Sequence, residues 1–425
     1  MLHLDITGTL GKSITPSFGI PDQEFTAIRS GVKRHVESWL KERGNGEHAW
    51  SMDPYHKESV RAVKSAVKEL KERKIQTVIW VGIGGSSLGP KVIQEVFETP
   101  ETMEFVLLDT IDPAILRLVL TVTDWKKTLV IVACKSGETL ETMSVFMLLW
   151  NTLCDSLGSK AASHVLGITD PQKGHLRDFC IEQRIAMLPI PPNVGGRFSI
   201  FSPVGLLPLG LLGGDIDRFL RGAKEMDELC HSPDLDENPA ALLASTQFLL
   251  EMKRGYFVRV IMPYSQRLAT IARWNQQLIA ESLGKTEVHN PIPVAAIGTQ
   301  DQHSLLQQWM AGPHKCWHLF ICEEEKADVS LPHSLPIAAF DSLAGKSFGS
   351  LLDACHEGTR SALTSAKRPH ATLTLTRLDA YHLGQLFFLF LTEVIFLGKL
   401  YRIDPYGQPA VEVGKKLTKE ILSRK

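Results

Sequence analysis

Two stretches of this chain set glycines, hydroxyls and a lysine where a buried strand gives way to a helix. The first is WVGIGGSSLGP, residues 80–90, containing Gly82, Gly84, Gly85, Ser86 and Ser87. The second is VACKSGETLETM, residues 132–143, containing Lys135, Ser136, Gly137 and Thr139. Backbone amides in a Gly-rich turn and the positive end of a helix favour an anion. Three kinds of anion site are in contention. A nucleotide P-loop needs Lys and then Ser/Thr directly after its last glycine, whereas Gly89 is followed by Pro90 and Lys91, so that template fails. A dinucleotide turn starts well with Gly82 and Gly84, but Ser87 stands at its third glycine position. Asp109 could mimic the ribose-binding carboxylate, so this reading survives in weakened form. The third template holds a single phosphate by hydroxyls and amides, and it predicts help from a second strand end on the same sheet edge. Residues 132–143 supply that help: Lys135 brings charge, and Ser136 and Thr139 bring hydroxyls. The alternative for Ser136 or Thr139 is a helix N-cap with no ligand to hold.

The elements that must position these loops follow from hydrophobic period. IQTVIWVGIG (75–84), MEFVLLD (103–109), TLVIVAC (128–134) and HVLGIT (164–169) are apolar runs with little alternation. Such runs are buried on both faces, as in a parallel sheet. Helical patterns separate them, and KESVRAVKSAVKELKERK (57–74) puts Val60, Val63, Val67 and Leu70 on one face. The rhythm resumes with strands at 257–264, 315–324 and 371–378 and with a helix over 268–284 closed by Gly284. The Pro- and Gly-rich 188–210 between them reads as a connection, not an element. The predicted fold is therefore α/β: two doubly wound domains with mainly parallel central sheets, three layers α/β/α, plus a C-terminal helix. Boundaries fall at 1–50 (an N-terminal helical segment), 51–190 (first domain), 191–234 (linker with a Gly-Gly-Arg motif and a helix), 235–400 (second domain) and 401–425 (C-terminal helix). An active site in the crevice between the domains is expected.

Composition narrows the function classes. The 425 residues carry 46 basic and 47 acidic side chains, so no net charge argues for nucleic acid or an anionic membrane as partner. The most apolar stretch, 383–400, is interrupted by Glu393 and reads as a core helix. Seven cysteines lie scattered without ligand spacing, which suits reduced thiols in a cytoplasmic enzyme and points to no metal.

Taken in order, GIGGSSLGP, CKSGETLET, GGRFSIFSPVG, ESLGK, DQHSLLQQ and QPAVEVGKK resemble the phosphoglucose isomerase family, built from two sugar-isomerase (SIS) domains. The resemblance runs from about residue 75 to the end. It implies reversible interconversion of glucose 6-phosphate and fructose 6-phosphate in glycolysis and gluconeogenesis, through ring opening and a cis-enediol, with no cofactor or metal. It further implies a phosphate pocket made by Gly85, Ser86, Lys135, Ser136 and Thr139. Arg197 is implied as the cation beside the enediol, and Glu281 as the carboxylate base, with Gln277 one turn earlier. His303 is implied as the ring-opening histidine supplied across a homodimer interface, with Glu141 as its supporting acid. Lys415 is the second ring-opening group and Gln408 lines the pocket; Lys416 is expected on an ordinary basic face. Chemically, a base near a carbonyl-activated carbon, a fixed cation for the enediolate and a histidine for ring opening form a coherent set. Cys134, Glu138 and Gly407 depart from the family pattern, and Glu138 is expected to turn its carboxylate away from the phosphate. A dual phosphoglucose/phosphomannose isomerase, a non-catalytic sugar-phosphate sensor and an NAD(P)-binding oxidoreductase are the rival readings; the sensor would have no need of Glu281, Arg197, His303 and Lys415 together, and Ser87 argues against the oxidoreductase.

Overall fold

The computed structural model describes residues 2–424. Its ten strands are β1 (His3–Asp5), β2 (Thr77–Val81), β3 (Glu104–Leu108), β4 (Thr128–Ala133), β5 (Val165–Thr169), β6 (Ala186–Pro189), β7 (Val258–Pro263), β8 (Ile292–Ala295), β9 (Cys316–Glu325) and β10 (His370–Arg377). They form two five-stranded sheets, ordered β3-β2-β4-β5-β6 and β8-β7-β9-β10-β1. Every pairing is parallel except β1 with β10. Numbered within the sheet, the first order reads 2-1-3-4-5, and the second matches it with β1 in the fifth place. This is a doubly wound arrangement whose switch point lies beside the first strand. In the first sheet that point falls between β2 and β4, and the two hydroxyl-bearing loops leave its two strands.

Both faces of each sheet are covered, which explains the unbroken apolar runs. On β2, Val78 and Trp80 enter a core shared with the second sheet, while Ile79 and Val81 enter a separate core under the helix Leu140–Leu157. Leu319 and Ile321 of β9 join that same shared core, while Phe320 points to a third cluster. The helix Ala380–Tyr401 runs through the shared core, and nearly all of it is buried. Glu393, the residue that interrupts its apolar sequence, is fully buried and paired with Arg259 of β7, with Arg259 Nη2 3.0 Å from Glu393 Oε2. A polar break inside this helix is thus a cross-tie between helix and sheet.

Three expectations are corrected. The N-terminal segment is not helical throughout: it opens with β1, which takes the fifth place in the second sheet, before the helix Asp22–Gly44. Three residues are too few to show a period-two pattern. Residues 188–210 are more than a connection, since β6 ends in them and Pro203–Leu211 is a helix with every residue buried. Its Pro203 sits at the first helical position, where a missing N–H is tolerated, and Ser202 Oγ accepts from Val204 N. Burial on all sides outweighs the poor helix propensity of its glycines and prolines. Finally, the last helix spans Pro409–Ser423, not 401–425. The preceding helix persists to Tyr401, and residues 402–408 form an irregular strap.

Candidate active site

The two loops, the Gly-Gly-Arg segment, the helix Ala269–Leu283 and the strap enclose one cavity of about 970 Å³. Its lining includes Gly85, Ser86, Lys135, Ser136, Thr139, Glu141, Arg197, Gln277, Glu281, Gln408 and Lys415. These residues come from both domains and from the C-terminal helix. His303 is the exception: it lies exposed on the short helix Gln300–Ser304, outside this cavity.

The loop after β2 is shaped by what it touches. Gly85 lies against the linker so closely that a Cβ there would stand 2.2 Å from the Gly196 carbonyl carbon. Only glycine allows that approach, which fixes the Gly195-Gly196-Arg197 segment against the loop. Ser87, the residue at the third glycine position of a dinucleotide turn, is buried and directs its hydroxyl to Asp109 Oδ2 at 3.3 Å. The Asp109 carboxylate that kept the dinucleotide reading open is thus bonded to the serine that weakened it. The Ser86 carbonyl accepts from the Trp80 indole at 2.8 Å, while its hydroxyl makes no hydrogen bond among the described residues.

At the loop after β4, Thr139 occupies the N-cap position of the helix Leu140–Leu157 but makes no side-chain cap bond. Its hydroxyl is left free, unlike that of a residue that serves only as a cap. Ser136 Oγ accepts from Glu138 N at 3.2 Å. The Glu138 carboxylate is exposed and 3.8 Å from His175 Nε2. Lys135 differs from expectation: its amine donates to the carbonyls of Pro192 and Val194, bracing the linker. Burial lowers its pKa from the ordinary lysine value, with Asp170 opposing the shift and Lys173 adding to it.

At the other end of the cavity Arg197 is buried and fully engaged. Nε donates to Ser282 Oγ at 2.8 Å, Nη1 to Glu281 Oε2 and Gln408 Oε1 at 3.1 Å each, and Nη2 to the carbonyls of Pro405 and Gly407 at 2.7 and 3.2 Å. Burial pulls its pKa down from the usual arginine value and the Glu281 charge opposes it; a guanidinium remains cationic throughout. Glu281 Oε1 accepts from Gln277 Nε2 at 2.8 Å, so the carboxylate is held from both sides while remaining partly exposed to the cavity. Gln277 Oε1 is buried with no hydrogen-bond partner among the described residues. Lys415 reaches Glu412 Oε1 at 2.7 Å, and Lys416 lies on the exposed face near Glu420.

A family model described as "Phosphoglucose isomerase" matches residues 47–425. The chain belongs to the phosphoglucose isomerase family. It is 36% identical over 427 residues to a glucose-6-phosphate isomerase of Rubrobacter xylanophilus, covering 97% of each chain. It is 35% identical over 407 residues to one from Carboxydothermus hydrogenoformans, covering 91% of this chain and 87% of that relative. A crystal structure of a Thermus thermophilus protein described as hypothetical aligns over 99% of this chain and 100% of its own, with TM-score 0.90 and 32% identity. A glucose-6-phosphate isomerase structure from Chlamydia trachomatis aligns over 86% of this chain and 73% of its own, with TM-score 0.77 and 26% identity.

At two of the positions that depart from the family pattern, the Cys134 carbonyl accepts from Thr169 Oγ1 at 2.9 Å and the Gly407 carbonyl accepts from Arg197. Sequence reasoning missed several contributors. Ser282 orients Arg197. Lys285, one turn beyond Glu281, donates to the carbonyls of Asp404 and Tyr406. Tyr406 lines the cavity, and its hydroxyl accepts from Trp50 Nε1 at 3.0 Å and meets His48. The only signal for Ser282 and Lys285 was their place in ESLGK; Tyr406 had none.

Proposed function

We propose that this chain interconverts glucose 6-phosphate and fructose 6-phosphate by opening the sugar ring and moving a proton between C2 and C1 through a cis-enediol. The observation that carries this reading is the Glu281 carboxylate, 3.1 Å from Arg197 and tethered by Gln277, in the same cavity as two hydroxyl-bearing loops. The phosphate lies against Ser86, Ser136 and Thr139, at the amide end of a helix. Glu281 takes the C2 proton of the open aldose, and the C2–H electron pair forms the C1–C2 double bond. The C1 carbonyl oxygen takes up the negative charge, which Arg197 stabilises without acting as acid or base. Return of the proton to C1, with passage of the O2 proton to O1, gives the ketose.

Ring opening is assigned to Lys415 and to His303 of a second copy, oriented by Glu141. Glu141 lines the cavity and has no ion-pair partner among the described residues. A homodimer is further supported by the C-terminal helix, whose Val413, Leu417 and Ile421 share one face and are all exposed in the single chain. Seven free cysteines suit a cytoplasmic enzyme.

A coupled assay with fructose 6-phosphate on wild type and Glu281→Gln tests the reading. Turnover should fall by roughly three orders of magnitude with sugar-phosphate binding retained. Undiminished turnover in the variant would sink the base assignment. Full specific activity on dilution to monomer would contradict a histidine supplied across an interface.

A further inference from the structure

Five side chains lining the cavity can carry positive charge: Lys135, Lys173, His175, Arg197 and Lys415. Four of them are already engaged. Lys135 donates to the Pro192 and Val194 carbonyls, and Arg197 bonds Glu281, Gln408, Ser282 and the strap. His175 faces Glu138 and Lys415 faces Glu412. Lys173 alone has neither an ion-pair nor a side-chain hydrogen-bond partner among the described residues. It is exposed, and it lies close enough to Lys135 to depress that residue's pKa.

The turn that carries Lys173 is built onto the phosphate loop. Thr169 Oγ1 donates to the carbonyls of Cys134 and Lys135, and Asp170 N donates to the Lys135 carbonyl at 3.3 Å. The buried Asp170 carboxylate accepts from the backbone N–H of Gln172 and of Lys173 itself, at 2.8 and 3.2 Å. Gly174, at φ +117, seats the turn so tightly that a Cβ would stand 2.7 Å from the Ser136 carbonyl. Lys173 is therefore held on a fixed backbone next to Ser136, with its ammonium free over the cavity. A dianionic phosphate between Ser136, Thr139 and the helix start lacks a mobile counter-charge as long as Lys135 braces the linker.

We propose that Lys173 is a further phosphate-binding residue, supplying the cation that pairs with the phosphate of the sugar substrate while Lys135 holds the linker in place. This rests on the isomerase reading above for the identity of the substrate, but not for the binding of phosphate. The test measures the dissociation constant of inorganic phosphate for the full chain by calorimetry, and KM for fructose 6-phosphate, in wild type, Lys173→Gln and Lys173→Arg. Loss of one charge-assisted contact should weaken phosphate binding about tenfold in Lys173→Gln, raise KM in parallel and reduce the salt dependence of both. Lys173→Arg should recover most of the loss. Equal phosphate affinity in wild type and Lys173→Gln would overturn the proposal. So would equal losses in both variants with a lowered melting temperature, since that pattern marks a structural lysine. If phosphate binding falls as expected but no variant, wild type included, turns over fructose 6-phosphate, the isomerase reading fails and the Lys173 assignment stands.

Discussion

Arg197 bonds two side chains besides its acidic partner and two strap carbonyls, which makes it both the charge beside Glu281 and the pin for the pocket wall. Lysine has three donors on a flexible stem and no planar fork, so it cannot span Ser282, Glu281, Gln408 and the two carbonyls together. Arg197→Lys should therefore lower kcat by about a hundredfold in the coupled assay. It should also lower the melting temperature by a few degrees, as buried acceptors lose their donors. At this scale the residue types were legible from motif order, but their bonds were not. Asp109 looked like the ribose-binding carboxylate of a dinucleotide site, and it accepts instead from the Ser87 hydroxyl. Lys135 looked like a phosphate ligand, and in this structure it is a brace. Sequence spacing carries no information on which of several nearby acceptors an amine will choose.

Among the elements, the strap 402–408 shows how one irregular segment is held without period of its own. Lys285 takes the Asp404 and Tyr406 carbonyls, and Arg197 takes those of Pro405 and Gly407. Tyr406 is tied to His48, which in turn bonds Glu42 at 2.8 Å. Burial opposes ionisation of Glu42, yet bonds from His48, Lys399 and Ser38 outweigh it and bring its pKa down to about 2. Lys285→Met should free the strap, seen as faster limited proteolysis within 402–408 and about a tenfold loss of turnover. Lys285→Arg should restore part of both. Unchanged cleavage would mean that Arg197 alone suffices to hold it. The two sheets also differ instructively despite their matched strand order. Where the first sheet's switch point carries hydroxyls and amides, the second carries Glu323, bonded by Ser265, at the start of an acidic run. A carboxylate there repels phosphate, so duplicated topology does not duplicate the site.

Over the whole molecule, His318, His356 and His370 of the second domain are buried and take no part in the proposed chemistry. Burial pushes His318 down to about 3, with His370 adding to the shift, and pushes His356 and His370 down to about 4, with Arg360 adding in both. In the unfolded chain each titrates near 6.5, so between these values the unfolded state binds more protons than the folded one. Their neutral burial costs nothing above pH 6.5 and costs progressively more as pH falls, roughly 2 kcal/mol for each by pH 5. The urea midpoint at pH 5 should therefore lie well below that at pH 7.5, and His318→Phe should shrink the difference by about a third. An unchanged midpoint in acid would show that these rings protonate in place. The buried Arg259–Glu393 pair lies in the same half and ties the central helix to its sheet.

The sequence by itself determined the α/β class, the two parallel sheets, the two hydroxyl-bearing loops on one sheet edge and the order of motifs that marks the family. Each of these is local or periodic: a strand buried on both faces must be apolar throughout, and a turn at a helix start must offer amides and small residues. Tertiary structure decided the rest. It gave the three-residue β1 a place in the second sheet and made a helix of the Pro- and Gly-rich 203–211 by burying it on every side. It drew Arg197, Glu281, Gln408 and Lys415 from distant segments into one cavity, left His303 on another surface, and turned Lys135 toward the linker. Such choices depend on distances between residues far apart in the chain. Only a packed core fixes those distances, because it alone makes one set of long-range contacts lower in free energy than the others.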